Sequence, residues 1–204
     1  MFSENFSLMT TITSVIAILF TIISHEFAHG LVALWNGDPT ARDAGRLTFN
    51  PLPHIDPIGL LCLLVFRFGW AKPVPINSDN FHNERLGMLS TSLAGVTVNF
   101  LSALLAALLL PHVSQPFFQA LLIQIMTYGV FFCVFNLMPI PPLDGSKVIL
   151  AFFPENVRWQ VYRYERYTQW LLPILVFSGI FGKIAQPITE GILSGMLDFS
   201  FHLL

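Results

Sequence analysis

The chain has 204 residues, of which 54% are hydrophobic and only 11% charged, with Lys plus Arg totalling 10 and a formal net charge of −2. Soluble proteins carry roughly 25% charged residues, so this chain lacks the polar surface a soluble globule needs, and it has too few cations for a nucleic-acid binder. A mean hydropathy of +0.65 fits an all-α polytopic membrane protein, read as one membrane-embedded domain over residues 1–204.

The first apolar span runs from Leu8 to Trp35, and Asn36-Gly37-Asp38-Pro39 ends it with a helix-stop and turn signal. No Asp, Glu, Lys or Arg occurs in the 21 residues between Glu4 and Glu26. The N-terminus has no basic region before the apolar run and no small-residue cleavage site after it, so this span is expected to stay in the mature protein. Residues 38–57 form a polar loop. The apolar run 58–66 has only nine residues, too few for a helical crossing. Phe68 to Pro75 then reads as extended, because each proline removes a donor and restricts the residue before it. A short re-entrant or hairpin segment packed inside the protein is expected near 58–76, since lipid-exposed irregular backbone is not tolerated.

Between Arg85 and Asp144 lie 58 uncharged residues, enough for two spans and a turn. The second span, Leu86 to Leu110, is rich in small residues, which permit close helix contact in lipid. Pro111 to Pro116 makes the turn, the third span covers Phe117 to Met138, and Pro139, Pro141 and Pro142 break the helix just before Asp144. An aromatic, basic stretch follows, with Arg158, Arg163 and Arg166 among Trp159, Tyr162, Tyr164, Tyr167 and Trp170, a composition suited to the membrane interface. A fourth span is expected over Gln169 to Gly182, with a weaker apolar helix from Ile184 to Leu204, giving a bundle of about four to six transmembrane helices. Gly191 and Gly195 form one GxxxG, read as generic packing. Cys62 and Cys133 lie in separate apolar runs and read as free thiols.

The segments 38–85 and 139–167 hold nine of the ten Lys and Arg, while the N-terminus and the turn at 111–116 hold none. The positive-inside rule then puts both segments in the cytoplasm of a multi-pass cell-membrane protein. Lys183 is the exception.

The chemistry begins in the first span with His25-Glu26-Phe27-Ala28-His29. Residues four apart stack on one helix face, so both imidazoles can address one metal ion, and Glu26 lies one step round, where it can take a proton from metal-bound water. Three ionisable residues inside an apolar span are expensive to bury and mark function by default. The bland reading is a pair of histidines hydrogen-bonded to neighbouring helices, with Glu26 in an ion pair. A catalytic zinc needs a third protein ligand. Asp144 is the first charge after the long uncharged stretch, but Asp before a helix is also a common N-cap, and position alone leaves both readings open.

These residues sit in a wider pattern. His25 to Gly30, the block Gly45 to Gly59, the block Gly69 to Asn77, Gly95 with Asn99, and Asn136 to Gly145 resemble, in the same order, the blocks of site-2 protease family intramembrane zinc metalloproteases. The chain resembles the small prokaryotic type, with no PDZ or regulatory domain; Ser146-Lys147 departs mildly from the expected Gly-Arg after Gly145. The resemblance implies one catalytic Zn2+ held by His25, His29 and Asp144, with Glu26 as the proton-transfer residue. It further implies Asn136 as a substrate or oxyanion contact, and hydrolysis of a peptide bond in or next to a transmembrane segment of a membrane-protein substrate. His54 belongs to a matching block, either stabilising developing charge or ordering its own turn between Pro53 and Pro57. Span one runs inward and Asp144 follows span three, which also runs inward, so the site is expected towards the cytoplasmic side. The rival class is a membrane metal transporter, or a proteolytically inactive homologue that binds membrane proteins. A transporter should repeat acidic or His residues along several spans, whereas this chain concentrates them at one depth and keeps Glu26.

Overall fold

The computed structural model describes residues 8–66, 70–168 and 171–202. Among them, secondary structure is helical apart from one isolated antiparallel bridge between Ile55 and Ala71. Helix α1 (Leu8–Trp35) is followed by a one-turn α2 (Thr40–Asp43) and a short α3 (Pro57–Phe66). Two long helices come next, α4 (Glu84–Leu109) and α5 (Pro116–Asn136), then α6 (Asp144–Leu150), α7 (Glu155–Thr168), α8 (Leu171–Phe177) and α9 (Ile180–His202). Three stretches, Leu8–Trp35, Glu84–His112 and Pro116–Asn136, are long and apolar enough to cross a membrane, and α8 with α9 makes a fourth if the bent pair is one span.

The long helices are apolar outside and small or polar inside. Helix α1 exposes Leu8, Ile12, Val15, Ile16, Leu19 and Phe20, and buries Thr13, Ala17, Thr21, Ser24 and Ala28. The buried hydroxyls turn back on their own helix: Thr21 Oγ1 donates to the Ala17 carbonyl at 2.7 Å and Ser24 Oγ to that of Phe20 at 2.7 Å. In lipid, helix association comes from close packing rather than hydrophobic exclusion, so small residues belong at the contacts and large apolar ones against the chains. Helix α4 follows the same rule, burying Ala94, Gly95, Ala103, Ala106 and Ala107 while exposing Phe100, Leu101 and Leu105. The most interior helix, α4 packs between α1 and α5, and α9 covers α4 and α5 through Phe181, Ala185 and Met196.

Helix ends carry their expected signals. Gly37 (φ +106) closes α1: its N–H donates to the Leu34 carbonyl at 3.1 Å, and Asp38 N–H to that of Ala33 at 2.9 Å, a Schellman arrangement. Asn83 caps α4, its side chain accepting from Leu86 N–H at 3.0 Å, worth about 1 kcal/mol. The first and third spans lie where the sequence puts them. The segment expected to pack inside the protein is corrected: α3 is a short helix, at about 1.5 Å per residue only ~15 Å long, and it exposes Ile58 and Leu61.

The expected fourth span is corrected. Residues 171–182 do not form one helix: the chain breaks at Ser178-Gly179, where Gly179 has φ +73, and α8 meets α9 at 74°. A positive φ is open to glycine and costly for most other residues, so the sequence stops the helix there and starts the tail helix at Ile180 rather than Ile184. Gln169 and Trp170, like Phe68, Gly69 and the first seven residues, lie outside the described residues. Both cysteines are free. Helix α7 exposes Trp159, Tyr164 and Tyr167 but buries Arg158, whose Nη2 donates to the Glu84 carboxylate at 2.8 Å and ties α7 to the start of α4.

Candidate metal centre

His25 and His29 stand one above the other on the face of α1 that meets α4, and both are buried. The two helices run antiparallel there, so descending α1 corresponds to ascending α4. His29 Nδ1 lies 2.7 Å from the Thr91 carbonyl and His25 Nδ1 lies 3.1 Å from the Asn99 amide. Between those residues sits Gly95, whose missing side chain makes the room. A Cβ there would lie 2.5 Å from His25 Nδ1 and 2.6 Å from His29 Nε2. Thr91, Gly95 and Asn99 are four apart and share one face, so α4 presents a platform for the histidine pair.

Asp144 arrives from the other side. After α5 the chain turns through Leu137 to Leu143, with a cis bond between Pro141 and Pro142, and re-enters a helix at Asp144. Gly145 makes this turn possible, because a Cβ there would meet the Leu137 carbonyl oxygen at 2.2 Å. The N-cap position belongs to Leu143, and Asp144 makes no capping bond, which removes the capping alternative. Its carboxylate points instead at the histidines, with Oδ2 3.1 Å from both His25 Nε2 and His29 Nε2, while those two nitrogens are 2.9 Å apart.

Three buried ligand atoms therefore converge, and protons alone do not satisfy them. The Thr91 carbonyl only accepts, so His29 Nδ1 carries a hydrogen and neutral His29 turns a lone pair inward from Nε2. Asp144 Oδ2 is buried and accepts no well-formed hydrogen bond among the described residues. With both rings neutral, at most one inward hydrogen, on His25 Nε2, faces the lone pairs of His29 Nε2 and Asp144 Oδ2, and a cation suits the set better. Zinc–ligand bonds of about 2.0–2.1 Å at tetrahedral angles place ligand atoms roughly 3.3 Å apart, close to the spacing here. Among the described residues His25, His29 and Asp144 are the group able to hold a metal ion, and their donor set suits zinc. His25 lies about 15 Å, and His29 about 9 Å, from the Trp35 end of α1, well inside the span.

Glu26 is half-buried and faces a different element. Its Oε2 accepts from the Val74 backbone N–H at 2.9 Å. Pro73 and Pro75 have no N–H, so Val74 supplies the one donor in that tripeptide, and it goes to Glu26. The extended segment 70–77 is a strap pinned along its length. Ala71 bridges to Ile55, Lys72 N–H donates to the His54 carbonyl at 2.9 Å, and Arg46 Nη2 donates to the Lys72 carbonyl at 2.6 Å. Asn77 N–H donates to Asp38 Oδ2 at 2.7 Å. Asp38 is buried and also accepts from Asn80 Nδ2, from the Thr40 hydroxyl and from Thr40 N–H. Burial pushes its carboxyl up, but these four hydrogen bonds outweigh it and hold the group below the usual carboxylate range.

The other candidates make hydrogen bonds to backbone carbonyls of their own segments. His54 is buried in the loop, with Nε2 donating to the Thr48 carbonyl at 3.0 Å, and it stands outside the metal-competent group. Asn136 Nδ2 donates to the Phe132 carbonyl of its own helix at 3.0 Å. The sequence pattern gave Gly95 and Asn99 no role; the signal that could have found one is their spacing with Thr91. Val74 left no signal, since its contribution is a backbone N–H.

No family model and no solved structure matches the chain. Two curated proteins do. The chain is 36% identical over 163 residues to the protein named putative zinc metalloprotease YwhC of Bacillus subtilis, covering 75% of this chain and 74% of that one. It is 32% identical over 151 residues to putative zinc metalloprotease MJ0611 of Methanocaldococcus jannaschii, covering 71% and 73%. With its membrane-length apolar helices, the chain belongs to the family of zinc metalloproteases that these two proteins represent.

Proposed function

We propose that the protein is an intramembrane metallopeptidase of the site-2 protease type, which hydrolyses a peptide bond in or next to a transmembrane segment of another membrane protein. One observation carries this reading: a buried His25–His29–Asp144 convergence about 9–15 Å inside a span-length helix, with Glu26 adjacent to it in sequence. In this reading His25, His29 and Asp144 hold the ion. Zinc bound there would supply Lewis acidity towards a water and a peptide carbonyl.

The remaining work falls to the chain's own residues. Glu26 takes the proton of the attacking water and passes it to the leaving amine, as a general base that becomes a general acid. The Val74 N–H fixes one of its oxygens, leaving the other free for the transfer. A helical substrate hides its carbonyls in hydrogen bonds, so its backbone is unwound before cleavage, and the strap at 70–77 offers an extended edge beside Glu26 to receive it. Asn136 stands at the end of α5 as a contact for substrate or oxyanion once its amide leaves the Phe132 carbonyl. The protein sits in the cell membrane with residues 38–57 and 139–167 in the cytoplasm, on the charge asymmetry of the loops. Labelling of Thr40→Cys, rather than Ser114→Cys, by an impermeant reagent in intact cells would reverse that orientation.

The test is Glu26→Gln in the purified protein. The variant keeps its zinc and its fold but loses cleavage of a model transmembrane substrate in detergent by at least the 10²–10⁴-fold typical of a general base. Cleavage at a rate near that of the unmodified protein refutes the role given to Glu26.

A further inference from the structure

We infer that Asn99 is the positioning residue that fixes which nitrogen of His25 faces the metal, acting as a hydrogen-bond acceptor through its side-chain oxygen. The inference rests on the ligand assignment proposed above and adds a residue to it. Asn99 is 1% exposed, deep in α4, and its amide lies 3.1 Å from His25 Nδ1.

The accounting of donors decides the direction. With Nδ2 turned to His25, that amide N–H donates to Nδ1. Neutral His25 then carries its hydrogen on Nε2, the atom that faces His29 Nε2 at 2.9 Å and Asp144 Oδ2 at 3.1 Å, and its lone pair points away from the site. The same orientation leaves Asn99 Oδ1 buried with no hydrogen-bond partner among the described residues. The two ends of an amide have nearly the same shape, so a half-turn about its last torsion costs little space. Afterwards Oδ1 accepts from Nδ1–H, the amide NH2 takes the position that no donor reaches, and the His25 lone pair moves to Nε2. His29 already has this arrangement, with the Thr91 carbonyl accepting from its Nδ1. Both ligands are thus steered by acceptors on one face of α4, one from the backbone and one from a side chain, and Gly95 between them lets the rings approach.

The experiment measures Zn2+ affinity of the full-length protein in detergent by competition with a chelator, and the absorption spectrum of the Co2+ form. Asn99→Leu, close in size but with no acceptor, binds Zn2+ roughly 10- to 100-fold more weakly, the usual cost of a lost outer-shell partner. Asn99→Asp, which accepts but does not donate, keeps affinity at or above that of the unmodified protein, and its Co2+ spectrum keeps the tetrahedral form. An Asn99→Asp affinity as low as that of Asn99→Leu overturns the acceptor role, as does unchanged affinity in Asn99→Leu. Should Asn99→Leu fail to fold, Asn99→Asp alone decides. His25→Ala separates the two levels: if it binds Zn2+ normally, the ligand assignment fails, whereas weakening in His25→Ala beside a weakened Asn99→Asp condemns the Asn99 role alone.

Discussion

His25 and His29 are held by helix packed against helix, whereas Glu26, their neighbour on the same turn, is engaged by an extended strap between two prolines. The ligand face of α1 meets α4 along buried small residues, with Gly95 admitting the rings and α4 supplying the hydrogen-bond partners. The base side meets backbone: Val74 N–H on Glu26, Lys72 on His54 and Arg46, Asn77 on Asp38. Helix packing in a membrane protein is dense and does not depend on loops, so it suits ligands that must stay within a few tenths of an ångström. A strap held by a handful of hydrogen bonds moves more easily, which suits the side where a substrate must enter. The comparison predicts that lesions on the two sides fail differently: one loses metal, the other loses rate.

The largest effect belongs to the ligand side. Asp144→Asn replaces a carboxylate with a weak neutral ligand among two imidazoles, and zinc affinity falls by more than the roughly 10- to 100-fold that an outer-shell lesion causes. Cleavage disappears with it. Metal content of the purified variant, measured after dialysis against a chelator, checks this; full occupancy would mean that Asp144 is no ligand. On the strap side, Val74→Pro removes the one N–H that reaches Glu26 and keeps an extended backbone. A hydrogen bond to a charged group contributes about 1.5–3 kcal/mol, so kcat falls roughly 10- to 150-fold while zinc stays bound. Because Val74 is buried and its loss also disturbs packing, Asp38→Asn serves as the companion: it weakens the anchor at Asn77, three residues along the strap from Val74. Loss of zinc in both strap variants would show that the two sides are one unit.

The two sides also differed in how much of them could be read from the sequence. The HExxH spacing puts His25 and His29 on one helix face, and the first charge after 58 uncharged residues marks Asp144 as a candidate, because helix periodicity and the cost of burying charge in lipid are written in residue types. The same logic gave the spans, since apolar length is itself a sequence property. It missed the break at Gly179, where one glycine in an apolar run reads as packing and its positive φ appears only in three dimensions. Position alone leaves Asp144 open between ligand and cap, because both roles favour the same residue at the start of a helix; the turn through Leu137–Leu143 points its carboxylate at the histidines and leaves it without a capping bond. The strap was legible as extended from its prolines. Its hold on Glu26 was not, since a backbone N–H has no letter in the sequence, and 48 positions separate donor from acceptor.

His54 gives the smallest expected effect and tests the boundary between the two sides. It sits in the loop that supports the strap, and its backbone carbonyl accepts from Lys72 N–H, a bond no side-chain substitution removes. Its ring does something more local, donating from Nε2 to the Thr48 carbonyl six residues back. Among the described residues Nδ1 has no hydrogen-bond partner, and the ring lies outside the group that could hold a metal. His54→Ala then removes one buried hydrogen bond, about 0.5–1.5 kcal/mol, and leaves the Thr48 carbonyl to be solvated or strained. The loop loosens, the strap's anchor at Lys72 shifts slightly, and cleavage slows severalfold with zinc content unchanged. Zinc content and kcat of His54→Ala, measured together on the same preparation, decide the point: a drop in zinc would move His54 across to the ligand side, and a loss of rate as deep as that of Glu26→Gln would make it part of the reacting machinery rather than a support for the strap.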